Sequence, residues 1–185
     1  QIGVLSYTAH ANDMERWCDP AAKEYGLDYL YTADFEADVQ AAQAAGAEFI
    51  IAMPHWGTEY MRKPDQIVRD TAEKMIAAGV DVILGSHPHM VQPIEYVTVG
   101  ERTALVAWSL GNFISNMKVQ YTDSGIILDF TVRETAEGGF DVVDVGYVPI
   151  SCWRQDDMIR AISSAQYLEE KPEGMGSNTY SRMKA

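Results

Sequence analysis

Two predominantly apolar runs, residues 48–53 and 80–85, most constrain how this chain can fold. Short runs of this kind are typical of strands that are covered on both faces in a parallel sheet. Each run follows a segment with helical spacing, and the second of these segments carries the stripe Val68, Ala72 and Ile76. Because helix and strand alternate here over short links, the sequence predicts an α/β fold.

Local signals place the ends of these elements. The first helix is predicted to begin after an Asp34 N-cap and to end before Gly46, with Phe35, Val39 and Ala42 on its apolar face. The second takes Pro64 as its first position and ends at Gly79. Residues 2–7 are predicted to form a strand that opens the chain, and residues 8–32 a long loop.

The pattern of predicted elements changes after Gln92, where hairpins replace the alternation of helix and strand. The first hairpin pairs residues 94–99 with 103–108, and the second pairs 125–132 with 140–148. Their turns are predicted at Gly100-Glu101 and at Gly138-Gly139. Residues 156–168 are predicted to form a terminal helix, followed by a mobile tail. We therefore divide the chain into a main part, residues 1–150, and a helix with a tail, residues 151–185.

The charge balance excludes some partners. With 27 acidic and 14 basic residues, the formal net charge is −13, which argues against nucleic acid and anionic lipid surfaces because both need local positive charge. The sequence contains no apolar run of about 18 residues, the length that a membrane-spanning helix needs. Since the chain opens within a core strand, we expect it to be part of a longer protein. A disulfide between Cys18 and Cys152 stays open, because their spacing fits no known motif.

Three of the four histidines follow the two apolar runs. His55 follows the first, and His87 and His89 follow the second. In open α/β sheets, ligands bind outside the carboxyl ends of the strands. Pro88 stiffens the link between His87 and His89, which lowers the entropy lost when both imidazoles bind metal. The sequence therefore predicts a divalent metal site, with Mn, Zn or Fe as candidates.

Other polar residues near these runs are candidates for either a functional or a structural role. Glu59 either orients His55 or is a solvated loop residue, and His10 follows a strand with no paired histidine. Asp81 is expected to be a structural turn residue. Asn112 either donates its amide to a substrate or caps the turn at Gly111, and the residue chemistry favours the cap. A histidine after a strand can also be a hydrogen-bonded loop residue.

Three ordered blocks carry a resemblance to a known family: His-Trp-Gly-Thr-Glu-Tyr (55–60), Gly-Ser-His-Pro-His (85–89) with Gln92-Pro93, and Ser-Leu-Gly-Asn-Phe (109–113). At these residues the chain resembles the CapA family of bacterial poly-γ-glutamate capsule biosynthesis proteins, over residues 2–150. The resemblance implies a calcineurin-like metallophosphoesterase fold with a two-metal site. It implies that His55 and His87 bind one metal and His89 the other. On that basis we assign His55, His87 and Glu59 to catalysis, and Asn112 and Trp56 to substrate binding.

The chain departs from the family pattern at its upstream end. The family's Gly-Asp, Gly-Asn-x-Glu-like and Asn-Asn-His segments do not occur here, and a paired-metal hydrolytic site needs the bridging carboxylate that they supply. Ser86 stands where relatives often have a second histidine. We therefore expect the C-terminal half of a four-layer α/β/β/α sandwich, whose partner is the upstream half of the same domain.

The resemblance implies a role in making or exporting poly-γ-glutamate at the extracellular face of a bacterial membrane or cell envelope. The expected partners are an anionic polymer or a phosphate-bearing substrate and membrane synthase subunits, and no nucleic acid. Two other functions stay open. One is a metal-dependent phosphoesterase that acts on a small phosphate ester unrelated to capsule. The other is a non-catalytic scaffold in an envelope polymer synthase complex.

Overall fold

The described part of the chain comprises residues 1–12, 14–17, 19 and 26–184 of a computed structural model. It divides into two units. The first is built from residues 1–88 and 92–109, and the second from residues 89–91 and 110–185. Cys18 lies outside the described residues, so its pairing with Cys152 stays a hypothesis.

A five-stranded sheet forms the first unit, in the order β1-β2-β3-β5-β4. In chain order the strands are β1 (Ile2–Thr8), β2 (Phe49–His55), β3 (Val82–Leu84), β4 (Ile94–Val99) and β5 (Arg102–Ala107). The strands β1, β2, β3 and β5 run parallel, and β4 pairs with β5 in an antiparallel hairpin. The α/β class and the first hairpin are therefore confirmed.

Two helices connect the parallel strands, α1 (Phe35–Ala44) and α2 (Gln66–Ala78). The Asp34 carboxylate accepts a hydrogen bond from the Ala37 amide at 3.1 Å, which confirms the predicted cap of α1. The prediction for Pro64 was wrong by two residues. Asp65 caps α2 instead, because its carboxylate accepts from the Val68 amide at 3.0 Å and satisfies one of the open amides of the first turn.

The core of the first unit lies between the helices and one face of the sheet. The predicted stripe of α2 is buried, and it packs in one apolar cluster with Ile50 and Ala52 of β2 and Ile83 of β3. Met53, by contrast, is 46% exposed. Coverage of both faces, as predicted for this run, therefore holds only at the amino end of β2.

Asp81 ties the sheet together at the start of β3. Its carboxylate accepts a hydrogen bond from the Ile50 amide at 2.8 Å and pairs with the Arg102 guanidinium at 2.9 Å. Burial raises the pKa of this carboxyl group, and the two hydrogen bonds partly oppose that rise. These contacts give Asp81 the structural role that the sequence predicted.

Three antiparallel strands form the sheet of the second unit, in the order β6-β7-β8. They are β6 (Ser124–Glu134), β7 (Phe140–Gln155) and β8 (Met158–Ser163). The predicted hairpin is confirmed, with longer strands. Gly111 has φ +70°, and a Cβ there would lie 2.6 Å from the Ser124 carbonyl oxygen. The close backbone approach predicted at Gly111 is therefore present.

The prediction of a helix at residues 156–168 was wrong. Residues Met158–Ser163 form β8, and Gln155 pairs with Met158 across a two-residue turn. Asp156 has φ +53°, as turns of this kind require. An Asp-Asp pair fits both a helix start and a hairpin turn. The long partner strand β7 decides between them because it offers an unpaired edge, a non-local contact that local spacing does not reveal.

The remaining elements are short. Two 3₁₀ turns cover Met14–Trp17 and Ala165–Tyr167, and helix α3 (Ser177–Lys184) stands where we expected a mobile tail. Strand β7 runs across residue 150, and the division into residues 1–150 and 151–185 stays a prediction for the complete protein. No helix in the described ranges combines the length and apolar character that crossing a membrane requires.

Gly85 supplies a stability test. A Cβ at this position would lie 2.1 Å from the Trp108 carbonyl oxygen and 2.6 Å from Trp56 Nε1. We expect Gly85→Ala to lower the free energy of unfolding by about 3 kcal/mol, because the buried backbone must move apart. Gly146→Ala is the control, since nothing lies within 4 Å of its added Cβ. Urea denaturation measures both variants, and equal midpoints would contradict the close approach.

Candidate metal centre

Three imidazoles meet at the carboxyl edge of the first unit's sheet. His10 follows β1, His55 is the last residue of β2, and His87 follows β3. The ring centroids of His55 and His87 lie 4.5 Å apart, those of His10 and His87 4.6 Å, and those of His10 and His55 5.4 Å. One ring nitrogen from each lies within 4.8 Å of the other two. We call these residues the histidine cluster.

Backbone pairing that continues past the strand ends holds the cluster in place. The Ala9 amide donates to the His55 carbonyl at 2.8 Å, which extends the pairing of β1 with β2. The Trp56 amide donates to the Ser86 carbonyl at 3.0 Å, and the Ser86 amide donates to Pro54 at 2.9 Å. The three segments that carry the histidines therefore stay in parallel register beyond the sheet.

Thr8 sets the orientation of His55. Its hydroxyl donates to the His10 carbonyl at 2.7 Å, and the same oxygen lies 3.3 Å from His55 Nδ1. Because the hydroxyl proton is already used, the oxygen can only accept from His55, which places the proton of a neutral imidazole on Nδ1. The lone pair of His55 is then on Nε2, as a metal ligand requires.

The spacing of His10 and His87 fits a shared metal ion. Their Nε2 atoms lie 3.3 Å apart. Two imidazole nitrogens on one tetrahedral zinc, each about 2.0–2.1 Å from the ion, are roughly 3.3–3.4 Å apart. His87 is only 8% exposed and has φ +102°. A side chain in the left-handed region is strained, and such strain is concentrated at functional sites.

The cluster consists of neutral nitrogen donors, with one carboxylate nearby. Three imidazoles leave an open position on a tetrahedral zinc, the arrangement of catalytic zinc sites. Glu59 lies on the exposed loop after β2, and a carboxylate oxygen comes within 4.8 Å of a ring nitrogen of His87. A hydrogen bond to Glu59 also raises the pKa of the neighbouring Tyr60 phenol. The donor set therefore fits a divalent metal ion.

Two hydrogen bonds connect the loop after β2 with the loop after β3. The Tyr60 amide donates to the Pro88 carbonyl at 2.9 Å. The side chain of Gln92, which is buried, donates to the Met61 carbonyl at 2.9 Å. The Gln92-Pro93 part of the second sequence block thus fixes the loop that presents Glu59.

His89 and Asn112 belong to the second unit and contact each other there. His89 Nδ1 lies 3.0 Å from Asn112 Oδ1, while Asn112 Nδ2 donates to the Thr122 carbonyl at 2.8 Å. This amide therefore joins Asn112 to Thr122, ten residues further along the chain, and both the turn cap and the substrate contact stay predictions. Since Asn112 Oδ1 can only accept, the proton of a neutral His89 is on Nδ1 and its lone pair is on Nε2.

Trp56 is placed differently from the prediction. It is 0% exposed, its indole N–H donates to the Trp108 carbonyl at 3.0 Å, and its ring stacks on Trp108 at 5.9 Å between centroids. The structure thus puts Trp56 in the core beneath the site rather than on a surface that a substrate reaches. The large ring and its buried donor explain this position, because both need a packed, hydrogen-bonded environment.

Sequence reasoning gave little weight to His10 and missed Thr8. The available signal was the order of the strands. If β1 lies beside β2 in a parallel sheet, a histidine just after β1 arrives at the edge that His55 occupies. His10 has no histidine near it in the sequence, and its partners lie on the neighbouring strands.

Comparison with known proteins agrees with the three sequence blocks. Residues 1–117 match the family model described as "Bacterial capsule synthesis protein PGA_cap". The chain is 30% identical over 99 residues to "PGA biosynthesis protein CapA" of Bacillus subtilis (strain 168), an alignment that covers 54% of this chain and 25% of that protein. It is 31% identical over 97 residues to "Capsule biosynthesis protein CapA" of Bacillus anthracis, covering 52% and 23%.

The aligned regions thus span about a quarter of the length of these curated relatives. The family match includes all three members of the histidine cluster. Because the match covers more than half of this chain, the chain belongs to the family of bacterial capsule synthesis proteins that the family model describes.

Proposed function

We propose that this chain supplies the histidine side of a metal-dependent hydrolytic centre in a protein that makes or exports poly-γ-glutamate at the bacterial cell envelope. The observation that carries the proposal is the histidine cluster, three imidazoles from three separate segments at the carboxyl edge of a parallel sheet. The names of the two relatives, which concern PGA and capsule biosynthesis, support the choice of polymer.

The donor set favours zinc or iron over manganese, because imidazole suits the first two and manganese prefers oxygen ligands. When bound, such an ion polarises a phosphoryl or acyl oxygen and lowers the pKa of water at its open position. His10, His55 and His87 would hold the ion, and the contact with Thr8 would keep the proton of His55 on Nδ1. The exposed carboxylate of Glu59 accepts the proton that the attacking water loses.

The complete centre is expected to need more ligands than this cluster provides. Bridging oxygen ligands characterise paired-metal hydrolytic sites. In this proposal the upstream half of the domain supplies the remaining ligands, and the family resemblance assigns His89 to a second metal. An anionic polymer is then held by the metals and by local cationic patches, since the chain itself carries a net charge of −13.

The alternative of a small phosphate ester as substrate predicts a different outcome. A panel of phosphate monoesters and diesters, assayed on the complete protein with zinc or iron, would then show turnover that poly-γ-glutamate does not inhibit. Turnover of the polymer or of its activated precursors, with no activity on the panel, favours the capsule function.

Zinc binding tests the cluster directly. We expect the intact chain to bind about one zinc ion in isothermal titration calorimetry, and His87→Ala or His10→Ala to weaken binding by at least roughly 100-fold because each removes a ligand. Thr8→Val is expected to weaken it about tenfold, as loss of a residue that orients a ligand does. Thr103→Val, in the exposed β4–β5 hairpin, is the matched control. Zinc affinity unchanged in His10→Ala would remove His10 from the centre.

Capsule production tests the function of the centre. In a bacterium whose own family member is deleted, we expect the complete protein with His87→Ala to restore at least tenfold less polymer than the unaltered protein, since the metal is lost. The exposed Glu137→Gln should restore it fully. Full restoration by His87→Ala, with the protein present at normal levels, would favour a scaffold.

Glu59→Gln separates chemistry from metal binding. We expect this variant to retain zinc affinity, because the three imidazoles stay in place, while hydrolysis falls by about 100-fold or more through loss of the proton acceptor. Steady-state rates and calorimetric titration of the same preparation measure the two quantities. An unchanged rate would assign Glu59 to the solvated loop alone.

A further inference from the structure

A cavity lies within the second unit, remote in sequence from the histidine cluster. It has a volume of about 450 Å³ and is bounded by residues 115–119, by β7 and β8, and by α3. Sites for small ligands typically occupy clefts of about 300–1,000 Å³. The cavity is therefore large enough to hold several non-hydrogen groups of a ligand.

The charge of its lining is opposite to that of the chain. Lys118, Arg154 and Arg182 line the cavity, against a single carboxylate, Asp123. The whole chain has 27 acidic and only 14 basic residues. A concave surface with three cations and one anion is thus a local exception in an acidic protein, and a concave shape concentrates the potential of the charges that line it.

Among the residues that the structure describes, two of the three cations have no carboxylate partner. Arg182 pairs with Asp123 at 3.2 Å. Arg154, in contrast, donates to the carbonyl and side-chain oxygens of Asn116, which carry no charge. Within residues 26–184, no acidic side chain forms an ion pair with Lys118. Arg154 and Lys118 therefore keep their full charge for a ligand.

The other walls add apolar surface and no further negative charge. Met117, Val119 and Ile159 contribute apolar side chains. The thiol of Cys152 also lines the cavity, and burial raises its pKa, so that it stays neutral at physiological pH. A ligand that fits these walls carries anionic groups on a short aliphatic framework.

We propose that this cavity binds a ligand with two or more carboxylates on an aliphatic chain, such as a short run of linked glutamates, through Arg154 and Lys118. The planar guanidinium of Arg154 can hold one carboxylate in two parallel hydrogen bonds, and the ammonium of Lys118 holds another. The apolar wall contacts the methylene groups between them. The choice of a glutamate oligomer rests on the proposed function. The preference for a ligand with several carboxylates rests on the charge and shape of the cavity alone.

The test uses a fluorescently labelled oligomer of γ-linked glutamate and the intact chain, with binding followed by fluorescence anisotropy. We expect Arg154→Gln to weaken binding about tenfold and Lys118→Gln about threefold, as loss of one charge-assisted contact each would do. Asp123→Asn should strengthen binding about threefold, because Asp123 is the one carboxylate that the described part of the chain contributes to the lining. Affinity should fall at higher salt concentration.

Lys171→Gln is the matched control, since Lys171 is an exposed cation of the same unit outside the cavity. No binding to the unaltered chain, or equal affinity in the Arg154 and control variants, would overturn the proposal. Competition by inorganic phosphate as effective as that by the unlabelled oligomer would also overturn it, because the cavity would then be a general anion site. Circular dichroism of each variant establishes that the comparison is between folded proteins.

Zinc titration of the same variants keeps this proposal separate from the proposed function. Lost oligomer binding with unchanged zinc affinity in Arg154→Gln assigns recognition to the cavity and metal binding to the histidine cluster. If the unaltered chain binds zinc but not the oligomer, the cavity proposal fails and the metal centre stands.

Discussion

The first unit depends on a close approach of backbone to backbone at Gly85. The Gly85 amide donates to the Ala107 carbonyl at 2.8 Å, and the absence of a side chain lets the strand lie against the carbonyl oxygen of Trp108. That oxygen accepts the indole proton of Trp56. Because a buried donor without a partner costs about 1–3 kcal/mol, this contact fixes the Trp56 indole. The Trp108 ring stacks on it and donates its own N–H to Glu95 at 2.6 Å. His55 directly precedes Trp56 and His87 follows Gly85 by two residues, so both histidines lie next to these fixed points.

The histidine cluster follows from that packing and from parallel pairing. Parallel strands end on the same side of a sheet, so three chain segments distant in sequence deliver their side chains to one edge. Thr8 then selects the protonation of His55 through a hydroxyl whose proton is already donated elsewhere. The spatial arrangement of the imidazoles is therefore set before any metal binds, which lowers the entropy lost on metal binding. The cationic cavity of the second unit is built from a different sheet and uses charge rather than lone pairs.

The sequence predicted the regular elements of the first unit well because their signals are local. The caps at Asp34 and Gly79, the stripe on α2 and the hairpin turn at Gly100 each act within a few residues. The predictions that were wrong, or gave too little weight, depended on distant partners. Residues 158–163 become a strand because β7 offers an edge, and Trp56 is buried because Trp108 accepts its proton. His10 lies beside His55 because β1 pairs with β2, and this contact between strands leaves no local signal in the sequence.

The left-handed backbone of His87 places the demands of folding and of chemistry in opposition at one position. An L-residue at φ +102° costs about 1–3 kcal/mol that glycine would not incur. A procedure that selects substitutions for thermal stability alone would therefore choose glycine or asparagine at position 87, and it would delete a central imidazole while improving the fold. Engineering of this domain for robustness, and any inference of ancestral sequences from stability, must hold that residue constant.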